Sequence, residues 1–203
     1  MNQTGQSGKI CKRPKVPAAI PILLAGFLFC ACAHLKKAQP VSGEPSAVEK
    51  LDVRNNAASL LYDLAGDEKN VGKILIVKRN SQELGQLIKV IATAAADDEQ
   101  ELESLATNDP NLNLRATELP QGEVETRDAV SKTKESALLF SSGSEFEFNL
   151  LLTQAEALNY GWHLAEVAAE NSSLPEEVQK FTTMSQTMKN LYGQVVGRMQ
   201  QDK

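Results

Sequence analysis

The chain has 203 residues, 42% of them hydrophobic and 23% charged, with a formal net charge of −5. Twelve glycines and eight prolines exclude a fibrous or wholly disordered chain, and the length suits one ordinary domain or two small ones. Residues 1–31 hold four bases (Lys9, Lys12, Arg13, Lys15) and no acid, so the remainder is more acidic than the total, which disfavours nucleic acid as a partner.

The first element is an address. A basic patch from Lys9 to Lys15 precedes the apolar run Ala18 to Phe29, and Cys30-Ala31-Cys32-Ala33 follows. A basic start, a short apolar run and a small-residue exit make a signal peptide over residues 1–31, and the run is too short for a comfortable membrane span of about 20 residues. All three cysteines lie here, so the rest of the chain has no disulfide framework and no thiolate metal site. Phe29-Cys30-Ala31-Cys32 is similar to a relaxed bacterial lipobox, departing from it at Phe29 and Cys30, and this marks Cys32 as the lipidation site. Two alternatives stay open: cleavage after Ala33, leaving His34 first, and an uncleaved anchor. Residues 32–46, with Pro40, Gly43 and Pro45, read as a flexible tether.

Residues 47–203 form the expected folded domain. Prolines are missing from 46–109, 121–174 and 176–203, and a proline inside a helix costs about 3 kcal/mol, so these stretches permit long helices. Leu61, Leu64, Val71 and Leu75 recur at helical spacing, and the β-rich Lys73–Val77 within that pattern is read as helix. Asn80 to Glu83 predicts a break and restart, with Asn80 capping and Glu83 reaching back. Leu84, Leu87, Ile88, Ile91, Ala95, Leu102 and Leu105 then share one face.

A crossover follows from Thr107 to Gly122, then a short helix from Glu123 to Phe140 with Val124, Ala129, Val130, Ala137 and Leu138, interrupted at Ser141–Ser144. Phe146, Leu150, Leu151, Leu158, Leu164, Ala165 and Ala168 stripe the next helix, closed by Asn171 to Leu174. Pro175 opens the last at its first turn, where a missing N–H costs nothing, and Val178, Phe181, Met188, Leu191, Val195 and Met199 stripe it. Four such helices cannot bury their stripes alone; the shared solution is an all-α, four-helix, ferritin-like up-down bundle with a long crossover containing an extra short helix. A faint repeat, Asn70-Val71-Gly72 and Asn159-Tyr160-Gly161, places a glycine in each hairpin where helices approach closely.

The motifs Gln82-Glu83-Leu84-Gly85-Gln86-Leu87, Leu119-Pro120 and Phe146-Glu147 followed by Gln154 resemble a bacterial family of predicted outer-membrane proteins, domain of unknown function 4142. The resemblance runs from about Asp67 to Met199 and implies a ferritin-like bundle. The chain is a divergent member in this reading: the family histidines would fall near Ala95 and Leu158, both apolar here. The family carries no activity over to this chain.

Candidate chemistry is sparse. Beyond the leader only His34 and His163 occur, and Tyr160 stands three residues before His163, so the Glu-x-x-His motif of a di-iron site is missing and no cofactor is implied. Glu68 and Asp98 fall inside apolar registers and are the weak metal candidates; such acids commonly sit at a stripe's edge and reach solvent, and the alternative is that both face the core. Asp97 to Glu103 holds five acids in seven residues and reads as a solvated helix face. Tyr160, Trp162 and Tyr192, and Met184, Met188 and Met199, read as core packing. No phosphate loop, dinucleotide fingerprint or nucleophile elbow occurs, so no catalytic residue is assigned.

These readings point to an exported, lipid-anchored protein of the bacterial envelope, in the periplasm or outer membrane. Its bundle would be a non-enzymatic binding or structural domain, with the membrane as partner through the anchor and an envelope protein as a further one. The competing reading is a metal-handling or catalytic ferritin-like protein using Glu68 and Asp98.

Overall fold

Five α-helices and one 3-10 helix account for the regular structure of the described residues, 45–116 and 119–201, in a computed structural model. They are α1 (Ala47–Glu68), the 3-10 helix (Val71–Ile76), α2 (Gln82–Asn108), α3 (Gln121–Phe140), α4 (Gly143–Asn171) and α5 (Pro175–Gln201), with no strand among the described residues. None of these helices is long and apolar enough to cross a membrane. The leader, the tether up to Glu44 and Cys32 lie outside the described residues.

α1 starts at a capping box that the reading of residues 32–46 as tether passed over. The Ser46 hydroxyl accepts the Glu49 N–H at 3.2 Å, and the Glu49 carboxylate accepts the Ser46 N–H at 2.7 Å. α1 packs on α2 and α4, and α4 packs on α5, which also meets α2. The buried set at their centre holds every stripe residue named for α4, and on α2 all but Leu87, which is half-buried. Phe146 and Phe181 are fully enclosed.

Three local expectations are corrected. The α-helical pattern does not run on through Val77: α1 ends at Glu68, and a 3-10 helix follows. Asn70 drives this change, because its side-chain amide donates to Gly66 O at 2.9 Å while its backbone N–H turns to Asp67 O at 3.1 Å. Val71, Ile74 and Leu75 still reach the core from the 3-10 helix, but Ile76 is 83% exposed.

Asn80 does not cap α2 either. Ser81 holds the cap position, and its N–H and hydroxyl both donate to Glu147 of α4, at 2.6 and 3.0 Å. A carboxylate from another helix thus meets the positive end of α2. The α3 stripe is the third: no residue of α3 is buried, and Val124 and Val130 are 39% and 46% exposed. α3 touches mainly α4. It turns into α4 at Gly143, whose φ of +58° is costly for any residue with a Cβ.

The glycine expectation holds at one position of two. A Cβ at Gly161 would stand 2.6 Å from Met188 Sδ and 2.9 Å from Leu64 Cδ2, so α4 uses glycine where α1 and α5 press on it. Gly72 has open space around it and marks no close approach. Gly161→Val is therefore expected to lower stability by about 1–3 kcal/mol through overpacking. Gly72→Ala should leave stability unchanged or raise it by roughly 0.5 kcal/mol. Thermal melts of the two variants measure this, and equal shifts would contradict it.

Candidate functional site

Glu68 ends α1 and Asp98 lies midway along α2, and both line one small internal cavity with Leu64, Ala65, Ile91, Ala95, Leu158, Met188 and Leu191. The expectation that such acids reach solvent from a stripe's edge holds only in part: both residues are half-buried beside the cavity, and Asp98 Oδ2 is enclosed. Burial pushes the Glu68 carboxyl above the usual carboxylate range, partly offset by the Gln154 amide, which donates to Oε2 at 2.8 Å. Burial likewise pushes Asp98 up to about 7, helped by the neighbouring charges of Asp97 and Glu101. Asp98 Oδ2 and Gln154 Oε1 are buried acceptors with no hydrogen-bond partner among the described residues.

The cavity measures about 20 Å³. A single water needs roughly 10–15 Å³, so the space suits one water and not a substrate. A divalent cation wants six or more oxygen ligands or a tetrahedral nitrogen and sulfur set. Among the described residues, no group of three or more His, Cys, Asp or Glu side chains is placed to hold a metal.

On its other side Glu68 borders a much larger space. Because α3 stands off from the packed helices, a groove of about 920 Å³ opens between α3, α4, the end of α1 and the 3-10 helix. Leu64, Val71, Ile74, Val130, Leu138 and Leu150 give it apolar walls, and Glu68 and Gln154 are its inner polar residues. Polar struts hold α3 to α4 across it. Arg127 donates to the Tyr160 hydroxyl at 2.8 Å, covers the Tyr160 ring and pairs with Glu123, while Lys134 pairs with Glu156. Tyr160 thus belongs to the groove, a correction to its reading as core. Trp162 and Tyr192 do pack on the core, edge to face with centroids 4.9 Å apart.

Other candidates fall elsewhere. His163 is exposed, and its Nδ1 faces Glu166 Oε2 at 2.9 Å, far from a ligand set. Met184 and Met188 are buried, and Met199 packs on the core from its margin. The acidic run is less freely solvated than expected: Glu99 pairs with Lys69, Glu101 with Lys180, and Glu103 accepts the Tyr62 hydroxyl at 2.7 Å, so it stitches α2 to α1 and α5.

A second polar centre escaped the sequence reading. Arg54, 2% exposed, donates to Asp109 Oδ2 at 2.9 Å and to Glu177 Oε2 at 2.8 Å. Asp109 follows the end of α2 and Glu177 sits in the first turn of α5, so one guanidinium ties three elements together. The Asn55 amide donates to Asn111 O and the Ser59 hydroxyl to Asn113 O, each at 2.9 Å, which binds the crossover to α1. The one available signal was register: Arg54 extends the stripe of Ala57, Ala58 and Leu61 back by one turn.

Comparison with protein-family models, with curated proteins and with solved structures gives no match for this chain.

Proposed function

We propose that this is an exported, lipid-anchored protein of the bacterial envelope, periplasmic or at the outer membrane, whose helical bundle is a non-enzymatic binding module. The groove under α3 is the observation that carries the binding part: it is ligand-sized, apolar-walled and has a few inner polar groups, the usual constitution of a small-molecule site. The anchor rests on the basic patch, the apolar run and Cys32.

The arrangement of the helices supports a ferritin-like reading. α1 and α2 form one hairpin and α4 and α5 the other, with α3 as the long crossover between them. Membership of the family of predicted outer-membrane proteins, domain of unknown function 4142, fits this topology. A metal-handling reading draws on Glu68 and Asp98 sharing a cavity; stoichiometric metal in the purified protein, lost in Glu68→Ala or Asp98→Ala, would favour it.

Cys32→Ser tests the anchor. The variant is expected to lose fatty-acid labelling and to leave the membrane fraction, and unchanged labelling refutes the assignment. Crosslinking in cells, read by mass spectrometry, should capture an envelope partner on the bundle surface.

A further inference from the structure

We propose that the groove under α3 binds an elongated apolar molecule carrying one primary amine, with the ammonium seated against Glu68 and Gln154 and the hydrocarbon between α3 and the 3-10 helix. This deepens the binding-module reading and rests on it.

Charge is the first ground. The groove lining holds five carboxylates and two cations. Both cations are spent within it, Arg127 on Glu123 and Lys134 on Glu156. Asp67 and Glu135 make no salt bridge among the described residues, and Glu68 feels Lys134 only beyond ion-pair distance. An anionic ligand would add to that excess, whereas a cation relieves it.

Donor balance is the second and independent ground. Gln154 is 1% exposed and spends its amide N–H on Glu68, which leaves its Oε1 without a donor. The Glu68 carboxylate is itself an acceptor. Two acceptors thus line the groove side by side, one of them without a donor, and a buried acceptor left unpaired costs about 1–3 kcal/mol. A primary ammonium brings three N–H donors and a positive charge to that point. Burial and the neighbouring Asp67 hold the Glu68 carboxyl above its ordinary range in spite of the Gln154 amide and the charge of Lys134, and an ammonium at closer range would pull it down.

Shape is the third. The walls near Glu68 are aliphatic, and the volume of about 920 Å³ exceeds that of a bare ion or a short amine. Burying each methylene contributes about 0.8 kcal/mol, so the tail supplies affinity and the amine supplies selectivity.

The test uses the full-length chain and two photoreactive probes, an alkyl diazirine ending in an amine and the same diazirine ending in a carboxylate, with octylamine and octanoate as competitors at pH 8. The amine probe should label peptides containing Val71 to Ile74 and Val130 to Leu138, and octylamine but not octanoate should displace it. Glu68→Gln should weaken octylamine about tenfold, equal to about 1.4 kcal/mol. Val130→Trp, on the exposed helix and outside the core, should fill the groove and abolish labelling, so the proposal stays testable if Glu68→Gln folds poorly. Equal competition by octanoate, or octylamine affinity unchanged in Glu68→Gln, overturns the amine assignment. The binding-module reading itself fails only if neither probe labels the groove.

Discussion

Replacing Arg54 with methionine is expected to cost about 3–5 kcal/mol, a large part of the roughly 5–15 kcal/mol that holds a domain of this kind together. The loss follows from what stays behind. Asp109 is 7% and Glu177 2% exposed, so without the guanidinium two buried carboxyls face each other unpaired. They are unequal partners. Burial raises the Asp109 carboxyl, but the Asn111 backbone N–H and Arg54 more than offset this and hold it below the usual carboxylate range. Burial dominates at Glu177 and keeps its carboxyl above that range, although Arg54 and Ser172 pull it down.

The linkage therefore runs in opposite directions at the two sites. The contribution of Asp109 is present above its unfolded pKa and is lost as pH falls through the lower folded value. That of Glu177 is present in acid and is lost as pH rises through its raised folded value. Urea denaturation of Arg54→Met should show the loss at pH 7. Adding Glu177→Gln should recover part of it, because the second buried charge is then removed. A loss under 1 kcal/mol would mean that the carboxyls reach water and that the centre is not a lock.

The second large effect is expected at Asp98. Burial, helped by the charges of Asp97 and Glu101, pushes its folded carboxyl up to about 7 from the ordinary 3.8. The folded state thus binds a proton that the unfolded chain has already released. That stability is full below about pH 4 and declines by about 1.4 kcal/mol per pH unit until pH 7, a total of about 4 kcal/mol. Asp98→Asn removes the titration. Relative to the parent, the variant should gain about 2–3 kcal/mol between pH 5 and pH 8, read as a shift in urea midpoint at each pH. Glu68 and the other carboxyls titrate in both proteins, so the difference isolates Asp98. A constant difference across that range would show that the Asp98 carboxylate is solvated.

Both residues show where sequence reading stops. Asp98 could be placed on an apolar register, because a helix repeats every 3.6 residues and Ile91, Ala95, Leu102 and Leu105 fix the face. Whether its carboxyl then turns to water or to the core depends on how α1, α4 and α5 close over it, and no local pattern encodes that. Arg54, Asp109 and Glu177 are separated by 55 and 123 residues from the arginine outward. Each looks ordinary alone: a charge on α1, an acid after a helix end, an acid in a first turn.

Periodicity alone determined the elements that matter most, since the stripes of α2 and α4 are long and proline-free, and burying them is the dominant favourable term in folding. Proline and glycine positions likewise marked the α3–α4 and α4–α5 turns, because they act through local backbone sterics. Only the tertiary structure decided that α1 gives way to a 3-10 helix, that Glu147 caps α2, and that α3 stands off to open a groove beside Glu68. Those outcomes rest on contacts between residues distant in the chain, whose free energies depend on the dielectric and packing that the assembled helices create.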